Sequence, residues 1–168
     1  MRSHATHAVL WLGAALFAGG APLASGSARA QQRDHDRVRF DLHLDLGWYR
    51  NGGLGFRADI PIVSRGAVDG VDDDLSVSVG AEAFWWWDAS NLGVFPVVAL
   101  QWNFYLSEHW SLCPELGVAL WFGPHRNRYW RTFVAPFAGF GARYHFSARN
   151  ALLLRLTWPT GLQVGITF

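Results

Sequence analysis

The sequence predicts an all-β chain closed into an antiparallel up-and-down barrel of eight strands. Three observations predict it. Apolar residues recur at every second position from Val38 to the C-terminus, the period at which side chains of a strand change faces. Turn-forming clusters interrupt this alternation at intervals of one strand length. One of the two faces so defined carries no charged residue in any run.

The first run sets Val38, Phe40, Leu42, Leu44, Leu46 and Trp48 against Arg39, Asp41, His43, Asp45, Gly47 and Tyr49. Asn51-Gly52-Gly53 is a hairpin signal, expected to turn the chain into a second run that starts at Leu54. That run sets Leu54, Phe56, Ala58, Ile60 and Ile62 against Gly55, Arg57, Asp59, Pro61 and Val63. A polar segment with Asp69 and Asp72-Asp73-Asp74 reads as an acidic, solvated loop. Its spacing fits no EF-hand calcium loop.

The third run sets Leu75 to Trp87 in odd positions against Ser76, Ser78, Gly80, Glu82, Phe84 and Trp86. A turn is expected at Asp88-Ala89-Ser90-Asn91. The fourth run, from Val94 to Leu106, faces Phe95, Val97, Ala99, Gln101, Asn103 and Tyr105 the other way. Ser107-Glu108 turns the chain into the fifth, Trp110 to Phe122, with Ser111, Cys113, Glu115, Gly117, Ala119 and Trp121 opposite. A loop from Gly123 to Arg128 leads to the sixth, whose second face holds Phe133, Phe137, Gly139, Gly141, Arg143 and His145. Ser147-Ala148-Arg149-Asn150 leads to the seventh, with Arg155 inward, and Pro159-Thr160 to the eighth, which ends at Phe168.

The direction of the charge-free face decides the environment. Trp, Phe and Leu at nearly every position would overpack the interior of eight strands. The other face carries glycines that suit a narrow lumen. The aromatic residues Trp48, Trp85, Trp87, Trp102, Trp110, Trp130, Trp158 and Phe168 fall at the expected strand ends, as aromatic girdles do at the two membrane–water boundaries. The apolar face therefore meets lipid, and the fold class expected is a closed transmembrane β-barrel. A soluble, exported ligand-binding barrel with an apolar lumen is the alternative.

Composition agrees. The 168 residues are 51% hydrophobic and 16% charged, against roughly 25% charge in ordinary soluble domains. Disorder is excluded, since it needs low hydrophobicity and high net charge. The single cysteine, Cys113, excludes a disulfide scaffold. A net charge of +1 with no long basic run argues against nucleic acid as a partner.

Arg2, an apolar run from Ala8 to about Ala24, and Ala28-Arg29-Ala30 form the pattern of a cleavable secretory signal peptide. The expected organisation is a signal peptide over 1–30, cleaved after Ala30, a short periplasmic lead over 31–36, and a barrel over 37–168. A retained inner-membrane anchor is disfavoured by Gly19, Gly20 and Pro22.

The ending Leu162-Gln163-Val164-Gly165-Ile166-Thr167-Phe168 resembles the C-terminal signal of Gram-negative outer-membrane barrels. The alternation over residues 37–168 is similar in size and strand count to the OmpA transmembrane domain and the OmpX group. The resemblance implies an outer-membrane location, lipid and lipopolysaccharide as surroundings, and recognition of the Phe168 strand by the barrel-assembly machinery. Taken as a whole, the chain is expected to have a structural or envelope-associated role, as a monomer and with no cofactor.

The inward face collects Arg39, Asp41, His43, Asp45, Arg57, Asp59, Glu82, Glu115, Arg143, His145 and Arg155. Four Arg against five carboxylates and two His is near balance, as a low-dielectric lumen requires. The set therefore reads as a neutralising polar network, and His43 between Asp41 and Asp45 resembles a metal cluster in composition only. With inward Phe and Trp as well, an open diffusion pore is not expected. Arg126, Arg128 and Arg131 are candidate contacts for lipopolysaccharide phosphate. His145-Phe146-Ser147 resembles the His-x-Ser of lipid A deacylases, which implies a nucleophile and its base. It departs from that pattern at Ala148, where the family has Asn, and no carboxylate follows Glu115. The chain is expected not to be an enzyme.

Overall fold

The computed structural model describes residues 36–48, 51–64, 66, 68–86, 89–124 and 130–168. The expected signal peptide and nearly all of the lead lie outside them. Eight strands follow in order: β1 (Arg39–Leu46), β2 (Asn51–Val63), β3 (Asp73–Trp86), β4 (Ala89–Tyr105), β5 (Trp110–Pro124), β6 (Trp130–His145), β7 (Ala151–Trp158) and β8 (Gly161–Thr167). Each pairs antiparallel with its sequence neighbours, and β1 pairs with β8 to close the barrel. No helix among the described residues is long and apolar enough to cross a membrane.

The two faces sort as the alternation predicts. Leu42, Leu44, Leu46, Leu116, Val118, Leu152, Leu154 and Leu156 are exposed on the outside, while Asp41, His43, Arg57, Glu82, Arg143 and Arg155 are buried. An even number of strands puts both termini at one end, here the terminal end. The last residues of β1, β3, β5 and β7 lie at the other, the far end.

Three expectations are corrected. Asn51-Gly52-Gly53 is not the hairpin turn: β2 begins at Asn51, with Gly52 opposite Leu46 and Gly53 opposite Asp45. These glycines serve space rather than turn geometry. A Cβ on Gly53 would stand 2.9 Å from Asp45 Oδ2 and from the Phe84 ring. The turn expected at 88–91 is shorter, because β4 starts at Ala89. Asp73 and Asp74 are not solvated loop residues. Both lie in β3 and are fully buried, whereas Asp69 and Asp72 are exposed.

The strands are also unequal. β7 and β8 have 8 and 7 residues, whereas β4, β5 and β6 have 17, 15 and 16. β6 pairs with β7 only from Ala138 onward but with β5 from Trp130. At roughly 3.3 Å per residue, residues 130–137 rise about 26 Å along the strand beyond the last β7 rung. At the low side the chain turns through Pro159 and Gly161. Gly161 holds φ at +116°, and a Cβ there would strike Leu46 O, so only glycine is tolerated.

Candidate functional site

The inward side chains form a continuous polar network in tiers. At the terminal end Arg39 of β1 reaches across to Asp74 of β3, with Nη1 donating to Oδ2 and Nη2 to Oδ1, each at 2.9 Å. Tyr105 Oη donates to Asp74 Oδ2 at 2.5 Å, and Asn103 Nδ2 to Oδ1 at 2.6 Å. On the adjoining wall Ser111 Oγ lies 2.8 Å from His145 Nε2.

The middle tier turns on Asp41. Its Oδ2 accepts from Arg155 at 2.7 Å and Arg143 at 3.2 Å, and its Oδ1 from Thr167 at 2.5 Å. Arg143 also donates to Asp59 at 2.7 Å and to Asn103 at 2.7 Å, while Gln101 donates to Asp59 at 3.0 Å. The next tier centres on Arg57. It pairs with Glu82 and with Glu115, whose Oε2 is 3.2 Å away, and its guanidinium lies 4.8 Å from the Phe137 ring centroid. Arg155 Nε also reaches Glu115 Oε1 at 3.4 Å. Beside Arg57 are His43, Asp45 and Glu82, with His43 Nε2 3.8 Å from Asp45 Oδ1 and 3.6 Å from Glu82 Oε1.

An aromatic cap closes the tall side of the far end. Phe84, Phe95, Phe137, Val97, Ala99 and Ala119 are buried together, with Trp86 and Trp121 packed against them. Trp121 meets Phe95 at 5.6 Å and Trp86 at 5.4 Å, edge to face, the arrangement ring quadrupoles favour. Polar tiers and apolar cap together fill the lumen.

On the outside Trp48, Trp85 and Trp158 are exposed toward the far end, and Trp110 and Phe168 toward the terminal end. Trp102 is half-buried and donates to Asp73 Oδ2 at 2.7 Å. Trp87 lies outside the described residues, as do Arg126 and Arg128. Trp130 opens β6, and Arg131 is exposed on it.

His145 and Ser147 do not form a nucleophile–base pair. His145 Nε2 faces Ser111, and Ser147 Oγ accepts from the Arg149 and Asn150 amides of its own turn, at 3.3 and 3.0 Å. The Cys113 thiol is buried beside Gly141.

The carboxylate balance shifts as well. Asp74 joins the lumen, making six inward carboxylates among the described residues against four Arg. Sequence reading missed it, although its parity with Ser76, Ser78 and Glu82 is the signal that places it on the inner face. Gln101, Asn103, Gln163 and Thr167 were on that face without an assigned role. Their charged partners, Asp59, Asp74, Glu82 and Asp41, come from other strands and are invisible along one.

No protein-family model and no curated protein matches the chain. Among solved structures, a de novo designed transmembrane β-barrel superposes with a TM-score of 0.57 at 16% identity, over 79% of this chain and 94% of that one. Ail, the attachment invasion locus protein of Yersinia pestis, superposes with a TM-score of 0.51 at 10% identity, over 78% of this chain and 95% of Ail. In fold, then, the chain is a small transmembrane β-barrel of eight antiparallel strands.

Proposed function

We propose that the chain is an integral outer-membrane protein with a structural, envelope-associated role, and neither a diffusion pore nor an enzyme. The observation that carries this reading is the combination of an uncharged, exposed outer belt with a lumen filled by paired charges. Leu44 and Leu116 expose 60% and 69% of their surface. Such a belt is stable in hydrocarbon and aggregates in water. The terminal end with Phe168 faces the periplasm in this reading, and the barrel-assembly machinery takes up the last strand. Arg131, with Arg126 and Arg128, meets lipopolysaccharide phosphates at the outer surface. The separate engagements of His145 and Ser147 weigh against a lipid A hydrolase.

A second reading, surface attachment, is favoured by one observation. The β5–β6 hairpin rises past β7, and an unpaired strand edge is not stable within hydrocarbon, so residues 130–137 stand outside the membrane. Ail is named for attachment and invasion.

Fractionation with a heat-modifiable gel shift tests the first reading. Retention with the outer membrane and faster migration of the unheated protein are expected. Release by osmotic shock overturns it. Lipid A from a deletion strain is expected to keep its acylation pattern by mass spectrometry, and a changed pattern restored by wild type but not by Ser147→Ala would establish the hydrolase. Loss of cell attachment on shortening the β5–β6 hairpin, with the gel shift intact, would favour the second reading.

A further inference from the structure

We propose that the lumen holds one divalent cation of zinc-like chemistry between His43, Asp45 and Glu82. The three side chains come from β1 and β3, which are not neighbours. β2 runs between them, and its glycines make the meeting possible. His43, Gly55 and Glu82 occupy one rung, and Asp45 faces Gly53 on the next inward rung. A Cβ on Gly55 would overlap the His43 ring and stand 2.8 Å from Glu82 Cγ. Without it, His43 and Asp45 lean across the backbone of β2 to Glu82.

The spacing fits a shared ion. One ligand atom from each residue lies within 4.8 Å of the others, and the two measured legs from His43 Nε2 are 3.8 and 3.6 Å. Ligands at about 2.1 Å around a tetrahedral ion stand about 3.4 Å apart, so the two legs from His43 close by a few tenths of an ångström and the Asp45–Glu82 leg by at most about 1.4 Å. One imidazole and two carboxylates suit zinc and its first-row neighbours, and leave the fourth position to water.

Two further observations point to a cation. His43 and Asp45 expose 1% and 2% of their surface, yet neither ring nitrogen of His43, neither oxygen of Asp45, nor Glu82 Oε2 has a hydrogen-bond partner. Buried polar atoms left this way are costly, and two of them, His43 Nε2 and Asp45 Oδ1, face each other at 3.8 Å. The charge count agrees. Of the six inward carboxylates among the described residues, Asp45 is the one with no Arg within 4.0 Å, and the set exceeds the four Arg by two. A cation between the three side chains neutralises Asp45, the carboxylate that no Arg reaches.

The test uses the full mature barrel refolded in detergent, stripped with chelator, and given Co²⁺ or Zn²⁺ either during or after refolding, because the lumen is closed. One equivalent of metal retained after dialysis is expected, with Co²⁺ showing ligand-field bands of a low-coordinate nitrogen–oxygen site. Asp45→Asn and His43→Gln should each weaken binding about 100-fold, and His109→Gln, an exposed histidine, should leave it unchanged. No retained metal in a folded wild-type barrel overturns the proposal, as does stoichiometric binding that both lumen variants keep. Should the variants fail to fold, X-ray absorption of wild-type protein decides: one imidazole among oxygen ligands supports the site, and two or more imidazoles overturn it.

Discussion

Arg39 and Asp74, thirty-five positions apart in the chain, meet face to face at the terminal end of the lumen, two parallel hydrogen bonds at 2.9 Å joining guanidinium to carboxylate. The fork geometry fixes both side chains. Tyr105 and Asn103 take up further lone pairs of the same carboxylate, so the pair is the hub through which β1, β3 and β4 are held at one level. Removing the carboxylate leaves the Arg39 charge with neutral partners, Tyr105 Oη at 2.6 Å and Ser76 Oγ at 3.0 Å, and no counter-charge.

Asp74→Ala should therefore destabilise the barrel by about 3 kcal/mol, the cost of leaving one partner of a buried pair. Asp72→Ala, two residues earlier and exposed, should cost under about 0.5 kcal/mol. Urea unfolding in lipid vesicles, followed by the gel shift, compares the two. Equal effects would mean that Asp74 is solvated as a loop residue.

The outer face predicts a depth profile. Leu44 lies midway along β1 between the Phe40 and Trp48 levels and points outward. Leu44→Arg should cost about 2–4 kcal/mol, the penalty for Arg near the bilayer midplane. Leu106→Arg, just beyond the end of β4, should cost about 0–1 kcal/mol. The same unfolding measurement reads both, and a flat profile would contradict lipid around the barrel.

Gly55→Ala tests the crowding behind β2. Its new methyl would meet His43 and Glu82, and displacing them should cost about 2 kcal/mol by overpacking. Ala138→Val, on the exposed face of β6, adds more volume and should cost under about 0.5 kcal/mol. Similar losses at the two positions would place Gly55 in open space.

Phe168 separates closure from recognition. Its backbone exchanges both hydrogen bonds with Phe40 at 2.9 Å, and the two rings lie 6.1 Å apart. The backbone bonds survive Phe168→Ala, so refolding in detergent should lose about 1 kcal/mol or less. Accumulation in the outer membrane of cells should fall severalfold. Equal losses in both settings would assign Phe168 a packing role alone.

The eight strands, the two faces and the direction each face looks were legible in the sequence, because a strand's side chains alternate strictly whatever the strand pairs with. The inward parity of the charged side chains was legible for the same reason, although Asp74 was not counted among them. Their partners were not. Arg143 meets Asp41 and Asp59, and Arg57 meets Glu82 and Glu115, across distances that depend on the tilt and stagger of the closed barrel. Asn51-Gly52-Gly53 shows the same limit: glycine marks both a turn and a place where a neighbour's side chain must cross the backbone. Only the pairing of β1, β2 and β3 decided that Gly53 and Gly55 make room for Asp45 and His43. Alternation is a property of one strand and was determined by the sequence alone. Register, strand height and the grouping of His43, Asp45 and Glu82 belong to several strands at once, and the tertiary structure decided them.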